Sequence, residues 1–123
     1  MNKSLKNDGN KTNINDYALA QDSWRNLPNF FRNSVGLVKV LDFIRSQGLD
    51  THFHASTTLS FTLGISKSHR WDSEPSIAIT DLRNESYEVR FYGADGTVDV
   101  ISEQELLEVV WKNIVRLDQG DSP

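Results

Sequence analysis

The sequence predicts an α+β fold, a two-layer sandwich in which an antiparallel meander of four to five strands carries two main helices on one face. Over residues 51–67, 76–80, 86–92 and 97–101, apolar and polar residues alternate with the period of two that is typical of half-buried strands. Segments before and after this region repeat apolar residues at helical spacing. Because the connections between the strands are short, neighbouring strands should run antiparallel.

Composition predicts how the chain is divided. Residues 1–15 are mostly Asn, Lys, Asp, Gly and Thr, and they offer too little apolar surface to offset the entropy lost on ordering. We therefore expect residues 1–15 to form a flexible arm and residues 16–118 to form a single α+β domain. Residues 119–123 should form a C-terminal tail.

The first predicted element is a short helix over residues 16–26. Asp16 is a suitable N-cap, and Tyr17, Ala20 and Trp24 share one helical face. The following Asn-Leu-Pro sequence should end this helix, because the residue before a proline is displaced from helical backbone angles.

A longer helix is predicted over residues 34–47. Val38, Leu41 and Ile44 recur at three-residue intervals and form part of its apolar stripe. Gly48 stands at the position where helices commonly end in a left-handed residue. The two phenylalanines that precede this helix are expected to fold onto its base.

The stretch from residue 51 to residue 67 alternates over an unusual length. Strands usually have about five or six residues, so the stretch forms either one long bent ribbon or two strands with a bend near residues 55–58. The alternation does not slip across the middle, which favours the ribbon. The residues predicted to face the core are Phe53, Leu59, Phe61, Leu63 and Ile65, and those predicted to face away are His52, His54, Ser56, Thr58, Ser60 and Thr62.

Three further strands are predicted over residues 76–80, 86–92 and 97–101. Odd-numbered residues of the first two are mostly apolar and should join the core. The third strand closes the meander through Val98 and Val100. The Gly-Ala-Asp-Gly turn before it ends in a glycine that is free to adopt a positive φ.

The last predicted helix begins after Ser102. With Glu105 three residues later, Ser102 completes the pattern of a capping box. The apolar stripe of this helix consists of Leu106, Val110, Ile114 and Leu117.

The composition excludes some classes of function. The chain has 13 basic and 17 acidic side chains, and its net charge of −4 argues against general nucleic-acid binding. It has no cysteine, so disulfides, thiolate catalysis and cysteine-bound zinc are excluded, which fits a cytoplasmic location. No apolar run is long enough to cross a membrane, and no motif implies a cofactor.

The histidines indicate one catalytic or metal-binding alternative. His52 and His54 would lie on one face of a strand, with Cα atoms roughly 6.5–7 Å apart, and His69 follows in the next loop. Two imidazoles chelate a metal when a third ligand joins them. A lone His-x-His motif is weak, and polar residues on a solvated sheet face produce the same pattern. The alternative function is therefore a small-ligand or metal-dependent enzyme that uses these three histidines.

The polar loop over residues 66–75 is a candidate binding region. It contains an arginine and a tryptophan, which are residue types that commonly anchor protein interfaces. The competing interpretation is a connecting loop whose tryptophan packs back against the sheet. The predicted partner-binding residues are His69, Arg70, Trp71, Asp72 and Glu74 in this loop, and Arg90 and Tyr92 on the sheet.

The predicted open face of the sheet is rich in Ser and Thr, and Tyr92 is its one clear aromatic residue. This composition suits a wet protein-docking surface better than a platform for RNA stacking. We therefore expect a non-enzymatic protein-binding module of an immunity, adaptor or regulatory type. The layout is similar to that of many small bacterial proteins that act by binding, toxin-neutralising immunity proteins among them. A structural homodimer that uses the same face is a further alternative.

Overall fold

The computed structural model describes residues 20–57, 61–67, 75–93 and 95–119. Residues 20–24 are helical, and Leu49–Thr51 form one turn of 3-10 helix. The remaining elements are α1 (Leu27–Phe30), α2 (Val35–Ser46), β1 (His54–Thr57), β2 (Thr62–Ser66), β3 (Ser76–Asp81), β4 (Ser86–Tyr92), β5 (Thr97–Ser102) and α3 (Glu103–Asp118).

The five strands form one antiparallel sheet in the order β1-β2-β3-β4-β5, so each strand pairs with its neighbours in sequence. This meander, together with the helices before and after it, confirms the predicted α+β fold. The strand β4 has the predicted bounds, whereas β3 and β5 each extend one residue further.

The region predicted as one bent ribbon is a hairpin of two strands, β1 and β2. Thr57 pairs with Leu63 and Ala55 pairs with Ile65, in antiparallel register. The favoured ribbon interpretation is therefore wrong, and the alternative of two strands is confirmed, with the first strand ending at Thr57, within the predicted range 55–58. In this register odd-numbered residues pair with odd-numbered residues, so the hairpin preserves the same alternation that a ribbon would show.

One hydrophobic core joins the sheet to the helices. In β2, β3 and β4 the core residues occupy odd positions, and we call this side of the sheet the core face and the opposite, even-numbered side the outer face. That both helices pack on the core face stays a prediction, which the shared cluster supports. The cluster includes Phe53, Leu63, Ile65, Ile77, Ile79, Tyr87, Val89 and Phe91 around the sheet, and Leu37, Val40, Leu41, Ile44, Leu106, Val110, Ile114 and Leu117 from α2 and α3.

The structure confirms the two predicted helix-end signals, at Gly48 and at Ser102, and shows a further cap at Ser34. Ser34 is the N-cap of α2, and its hydroxyl accepts a hydrogen bond from the N–H of Leu37. Gly48 follows the helix with a φ of 70°, the left-handed conformation that glycine adopts at little cost. At α3, the N–H of Ser102 donates to the side chain of Glu105, as the capping box requires.

The segment before α2 differs in part from the prediction. Ala20 and Trp24 are buried on the helical residues 20–24, as predicted. A short helix, α1, then follows, because a proline is well tolerated in the first turn of a helix. Of the two phenylalanines, Phe31 is buried and Phe30 is exposed, and their rings meet edge to face with centroids 4.9 Å apart.

The last strand differs from the prediction in its orientation. Val98 pairs with Arg90 and Val100 pairs with Glu88, so both valines lie on the outer face and not in the core. Thr97, Asp99 and Ile101 occupy the core face of β5 instead. Val100 and Ile101 are adjacent apolar residues, one at an even and one at an odd position. Alternation alone therefore could not decide which residues of β5 face the core.

The glycine before β5 also has a different role from the one predicted. Gly96 does not adopt a positive φ. A Cβ at this position would instead approach the carbonyl oxygen of Phe91 to 3.1 Å. The absence of a side chain therefore serves a close approach of two backbone segments.

Several predictions fall on other parts of the chain. The predicted arm, residues 1–15, and most of the predicted tail lie outside the described residues, as do Asp16 and Tyr17. Thr58, Leu59 and Ser60 are outside them as well. In the described ranges, no helix combines the length and the apolar character needed to cross a bilayer.

Candidate protein-binding surface

The outer face of the sheet is not the uniformly open surface that alternation predicts. On β1 to β3, side chains of the outer face are buried, although they are polar. They include His54, Thr62, Ser66 and Ser76, and His54 is only 4% exposed. A Cβ at Gly64 would overlap the hydroxyl of Ser56, so the sheet is closely packed on this side too. Polar alternation thus predicted the orientation of these residues but not their exposure.

The outer face opens over β4 and β5. We call the group of Glu88, Arg90, Tyr92, Val98 and Val100 the outer β4–β5 surface. Tyr92 is 51% exposed, and the two valines are 49% and 61% exposed. The register places the valines of β5 directly beside the charged residues of β4, so apolar and charged groups form adjacent rows. Within the described residues, this exposed apolar row on a regular strand is a candidate interface.

The charged row of this surface is internally paired. The Nε of Arg90 lies 3.4 Å from Oε1 of Glu88, and the Arg90 guanidinium lies 5.9 Å from the centroid of the Tyr92 ring. Both contacts are loose and partly exposed, so they stabilise the free protein little. The Arg90 guanidinium therefore lies near Tyr92, and an acceptor from a binding partner can replace Glu88 at small cost.

A shallow cleft borders this surface where β4 meets β5. It has a volume of about 300 Å³ and is lined by Arg90, Tyr92, Thr97 and Val98 together with the glycines of the turn. Behind it, the guanidinium of Arg116 stacks on the ring of Phe91, with 3.9 Å between the Arg116 Cζ and the ring centroid. A cleft of this size and composition suits one side chain of a partner protein.

The strand β5 is also an edge of the sheet. Among the described strands it pairs with β4 alone, and all its residues except Ile101 are exposed. In an edge strand, alternate backbone N–H and C=O groups point away from the sheet. The outer β4–β5 surface therefore ends at a row of backbone hydrogen-bonding groups.

The predicted partner-binding residues divide into two groups. Arg90 and Tyr92 lie together on the outer β4–β5 surface, as the sequence predicted. The five loop residues from His69 to Glu74 lie outside the described residues, so their part in binding stays a prediction. Val98 and Val100 were missed, because the sequence placed them in the apolar face that closes the meander.

The predicted histidine pair is not formed on one strand face. His52 ends the 3-10 turn with a φ of −103° and a ψ of −22°, and it is exposed. His54 begins β1 and is buried. The helical angles at His52 break the alternation that would have aligned the two imidazoles, so this part of the prediction is wrong. Within the described ranges, no three His, Asp or Glu side chains gather as a metal site would require.

A second polar cluster, at the start of α2, has no counterpart in the sequence predictions. The Ser34 hydroxyl donates to Oδ2 of Asp81 at 2.6 Å, and the Gly36 N–H donates to the Tyr87 hydroxyl at 3.0 Å. A Cβ at Gly36 would overlap the Tyr87 ring, so this glycine permits the contact. The Asp81 carboxylate also accepts the N–H of Arg83 at 2.8 Å. These bonds tie α2 to β3 and β4.

The environment of this cluster explains its electrostatics. Burial raises the pKa of the Tyr87 phenol, the Gly36 N–H opposes the shift, and the charge of Asp81 adds to it. An open cleft of about 680 Å³ adjoins the cluster, and the exposed pair of Lys39 and Glu103 lies at its rim. Because the buried donors and acceptors described above are already paired, we interpret the cluster as an anchor for α2. Its signal in the sequence is Ser34 at the N-cap position, followed by Gly36.

The described residues form an α+β structure with an antiparallel meander, and the β5 edge of its sheet is exposed. The chain matches no protein-family model, no curated protein and no solved structure.

Proposed function

We propose that this chain is a non-enzymatic protein-binding module of the immunity, adaptor or regulatory type, and that the outer β4–β5 surface contacts its partner. The observation that carries the proposal is the exposed row of Val98 and Val100 on β5, beside Arg90 and the exposed Tyr92 on β4. The proposal includes a cytoplasmic location, since a chain without cysteine fits a reducing compartment.

The apolar row supports the proposal through its physical chemistry. Removing an exposed valine from water on binding contributes in proportion to its apolar area, at about 25 cal/mol per Å². Val98 and Val100 are β-branched residues on a paired strand, so they lose little side-chain entropy when a partner covers them. Such residues suit the water-excluded centre of an interface.

Arg90 and Tyr92 supply the polar and aromatic parts of the same interface. Arginine and tyrosine are among the residues that most often contribute strongly when an interface is scanned with alanine. Arg90 is already oriented by Glu88, and that exposed pair is weak enough to be replaced by a partner's carboxylate or carbonyl. Tyr92 presents an apolar ring and a hydroxyl at the rim of the 300 Å³ cleft.

Photo-crosslinking tests this proposal. In one variant p-benzoylphenylalanine replaces Tyr92, and in a matched variant it replaces Trp111, an aromatic residue of α3 with similar exposure. Both full-length proteins are irradiated in extracts of cells that produce the chain naturally, and adducts are identified by mass spectrometry. We expect a discrete protein adduct from position 92 that is absent from position 111.

Further variants examine whether the adduct depends on the proposed surface. Arg90→Ala and Val100→Asp should each weaken the adduct, and Trp71→Ala should weaken it too if the predicted loop takes part. The same adduct from both positions, or no adduct from position 92, would contradict the proposal. Sedimentation of the purified chain measures the alternative homodimer, which requires a concentration-dependent mass that Val100→Asp abolishes.

A further inference from the structure

The two edges of the sheet, β1 and β5, differ in their contacts with the rest of the molecule. At β1, the N–H of Ala55 donates to the hydroxyl of Ser23 at 2.9 Å, so this backbone donor is satisfied by a side chain. The Trp24 indole donates to the carbonyl of the preceding Phe53 at 2.8 Å. At β5, in contrast, no described strand lies beyond the outer edge, and five of the six residues are exposed.

The side chains along β5 define what could pair with it. Val98 and Val100 point to the outer face, and Asp99, between them, points to the core face. Asp99 is exposed, although it lies on the core side of the strand. Directly opposed cross-strand residues share a face, so an added strand would place one residue against Asp99 and its two neighbours against the valines. The complementary sequence is apolar-basic-apolar.

We propose that β5 accepts an extended segment of the partner protein as a sixth strand, and that this segment carries a lysine or arginine opposite Asp99 and apolar residues opposite Val98 and Val100. This inference rests on the proposed function and specifies how the partner binds. Main-chain hydrogen bonds to an exposed edge provide affinity in such complexes, and alternate side chains provide specificity. The net charge of −4 also favours a basic partner segment.

A second copy of the chain fits this edge less well. Two copies of β5 in antiparallel register bring Val98 of one copy opposite Val100 of the other only if Asp99 faces Asp99. Like charges directly opposite each other destabilise a strand pair. Shifting the register by two residues separates the aspartates but places one valine opposite Ser102 or Gly96. The register that is best for the apolar contacts is therefore the worst for charge.

Peptide binding to the full-length chain tests the inference. Three capped peptides of about nine residues, long enough to span β5, are titrated into the isotope-labelled protein to millimolar concentration and followed by NMR. The first has a central Val-Lys-Val, the second a central Val-Glu-Val, and the third repeats the first with N-methyl groups on alternate backbone amides. We expect the first to shift and protect the amides of β5, and to bind about five- to tenfold more tightly than the second.

A charge exchange provides the matched control. The variant Asp99→Lys should reverse the preference, so that the Val-Glu-Val peptide binds more tightly than the Val-Lys-Val peptide. The N-methylated peptide should not bind, because it cannot form the strand hydrogen bonds. Equal binding of the first two peptides, binding of the N-methylated peptide, shifts that map away from β5, or no binding at all would each overturn the inference. A β5-mediated homodimer of the free protein would overturn it in favour of the second copy.

The outcome can be separated from that of the proposed function. If position 92 crosslinks a partner but β5 shows none of the expected peptide behaviour, the outer β4–β5 surface binds that partner without strand addition. If the peptide binds β5 but no adduct forms at position 92, the edge accepts strands and the proposed cellular function fails.

Discussion

The two edge strands of the sheet, β1 and β5, differ in how far other parts of the molecule cover them. The strand β1 is short and partly buried, and Ser23 and Trp24 satisfy backbone groups at and just before it. The strand β5 is longer and exposed, and its outer face carries two valines. Exposed edges promote aggregation, so proteins usually cover or charge them. Here the β1 edge is covered in part, at the Ala55 N–H, and the β5 edge carries a single acidic residue, Asp99.

This contrast indicates where substitutions should act. Changes at the covered end should reduce the free energy of unfolding and leave binding unchanged. Changes at the exposed end should reduce binding and leave unfolding nearly unchanged.

The largest effect is expected at Trp24. Its side chain is buried in the core and its indole donates to Phe53. Trp24→Ala should lower the free energy of unfolding by about 3–5 kcal/mol, because it leaves a cavity and an unsatisfied carbonyl. Urea denaturation measures this, with Trp111→Ala as the matched control at an exposed tryptophan. Equal losses in the two variants would show that the covered end has no special role in stability.

A smaller loss is expected at Tyr87. Tyr87→Phe removes the acceptor of the Gly36 N–H, and an unsatisfied buried donor costs about 1–3 kcal/mol. Tyr92→Phe, at an exposed tyrosine, is the matched control and should change the free energy of unfolding by less than about 0.5 kcal/mol. If Tyr87→Phe is as stable as the wild type, the cluster does not anchor α2.

The pH dependence of the free energy of unfolding should report the ionisation of Tyr87. Because burial raises the pKa of Tyr87 in the folded chain, the unfolded chain releases this proton first, near its ordinary pKa of about 10. The contribution of Tyr87 is thus complete below pH of about 10 and is lost as the pH rises through the higher folded pKa. Denaturation between mildly and strongly alkaline pH should show this fall, and Tyr87→Phe should reduce it. A fall of equal size in the variant would contradict the assignment.

Opening the covered edge should have a modest effect. Ser23→Ala removes the acceptor of the Ala55 N–H and should cost about 1 kcal/mol, the typical net contribution of a hydrogen bond. Hydrogen exchange should show a faster Ala55 amide while the amides of β5 are unchanged. An Ala55 amide that exchanges equally in both proteins would mean that the serine does not protect this edge.

The smallest effect on stability is expected at the exposed edge. Val98→Ser and Val100→Ser should each change the free energy of unfolding by no more than about 0.5 kcal/mol, because both side chains are already largely in water. Thermal and urea denaturation measure this, and the same variants should weaken the crosslink at position 92. A loss of several kcal/mol would show that the valines support the fold itself.

Local signals predicted much of this fold. The left-handed Gly48 and the capping box of α3 depend on a few neighbouring residues, so the sequence contains them. The bounds of β4 follow from a strict alternation between two turns. The strand pairing was harder to predict. A hairpin in which odd-numbered residues pair with odd-numbered residues produces the same alternation around residue 57 as one bent ribbon.

The candidate surface was predicted only in part. The outer-face position of Arg90 and Tyr92 was predicted because their strand alternates clearly, whereas Val98 and Val100 require the β4–β5 register to assign their face. The burial of His54 depends on tertiary packing that alternation does not describe. The contact of Gly36 with Tyr87 joins residues far apart in sequence, so neither residue alone predicts it.

Hydrogen exchange of the chain, alone and bound to the partner captured at position 92, measures whether β5 is the edge that binds. In the free chain, outward-pointing amides of β5 should exchange quickly, and the Ala55 amide of β1 should exchange more slowly because Ser23 accepts its hydrogen bond. On binding, exchange should slow in β5 and remain unchanged in β1. Protection that appears at β1 while β5 continues to exchange quickly would contradict the assignment of β5 as the binding edge.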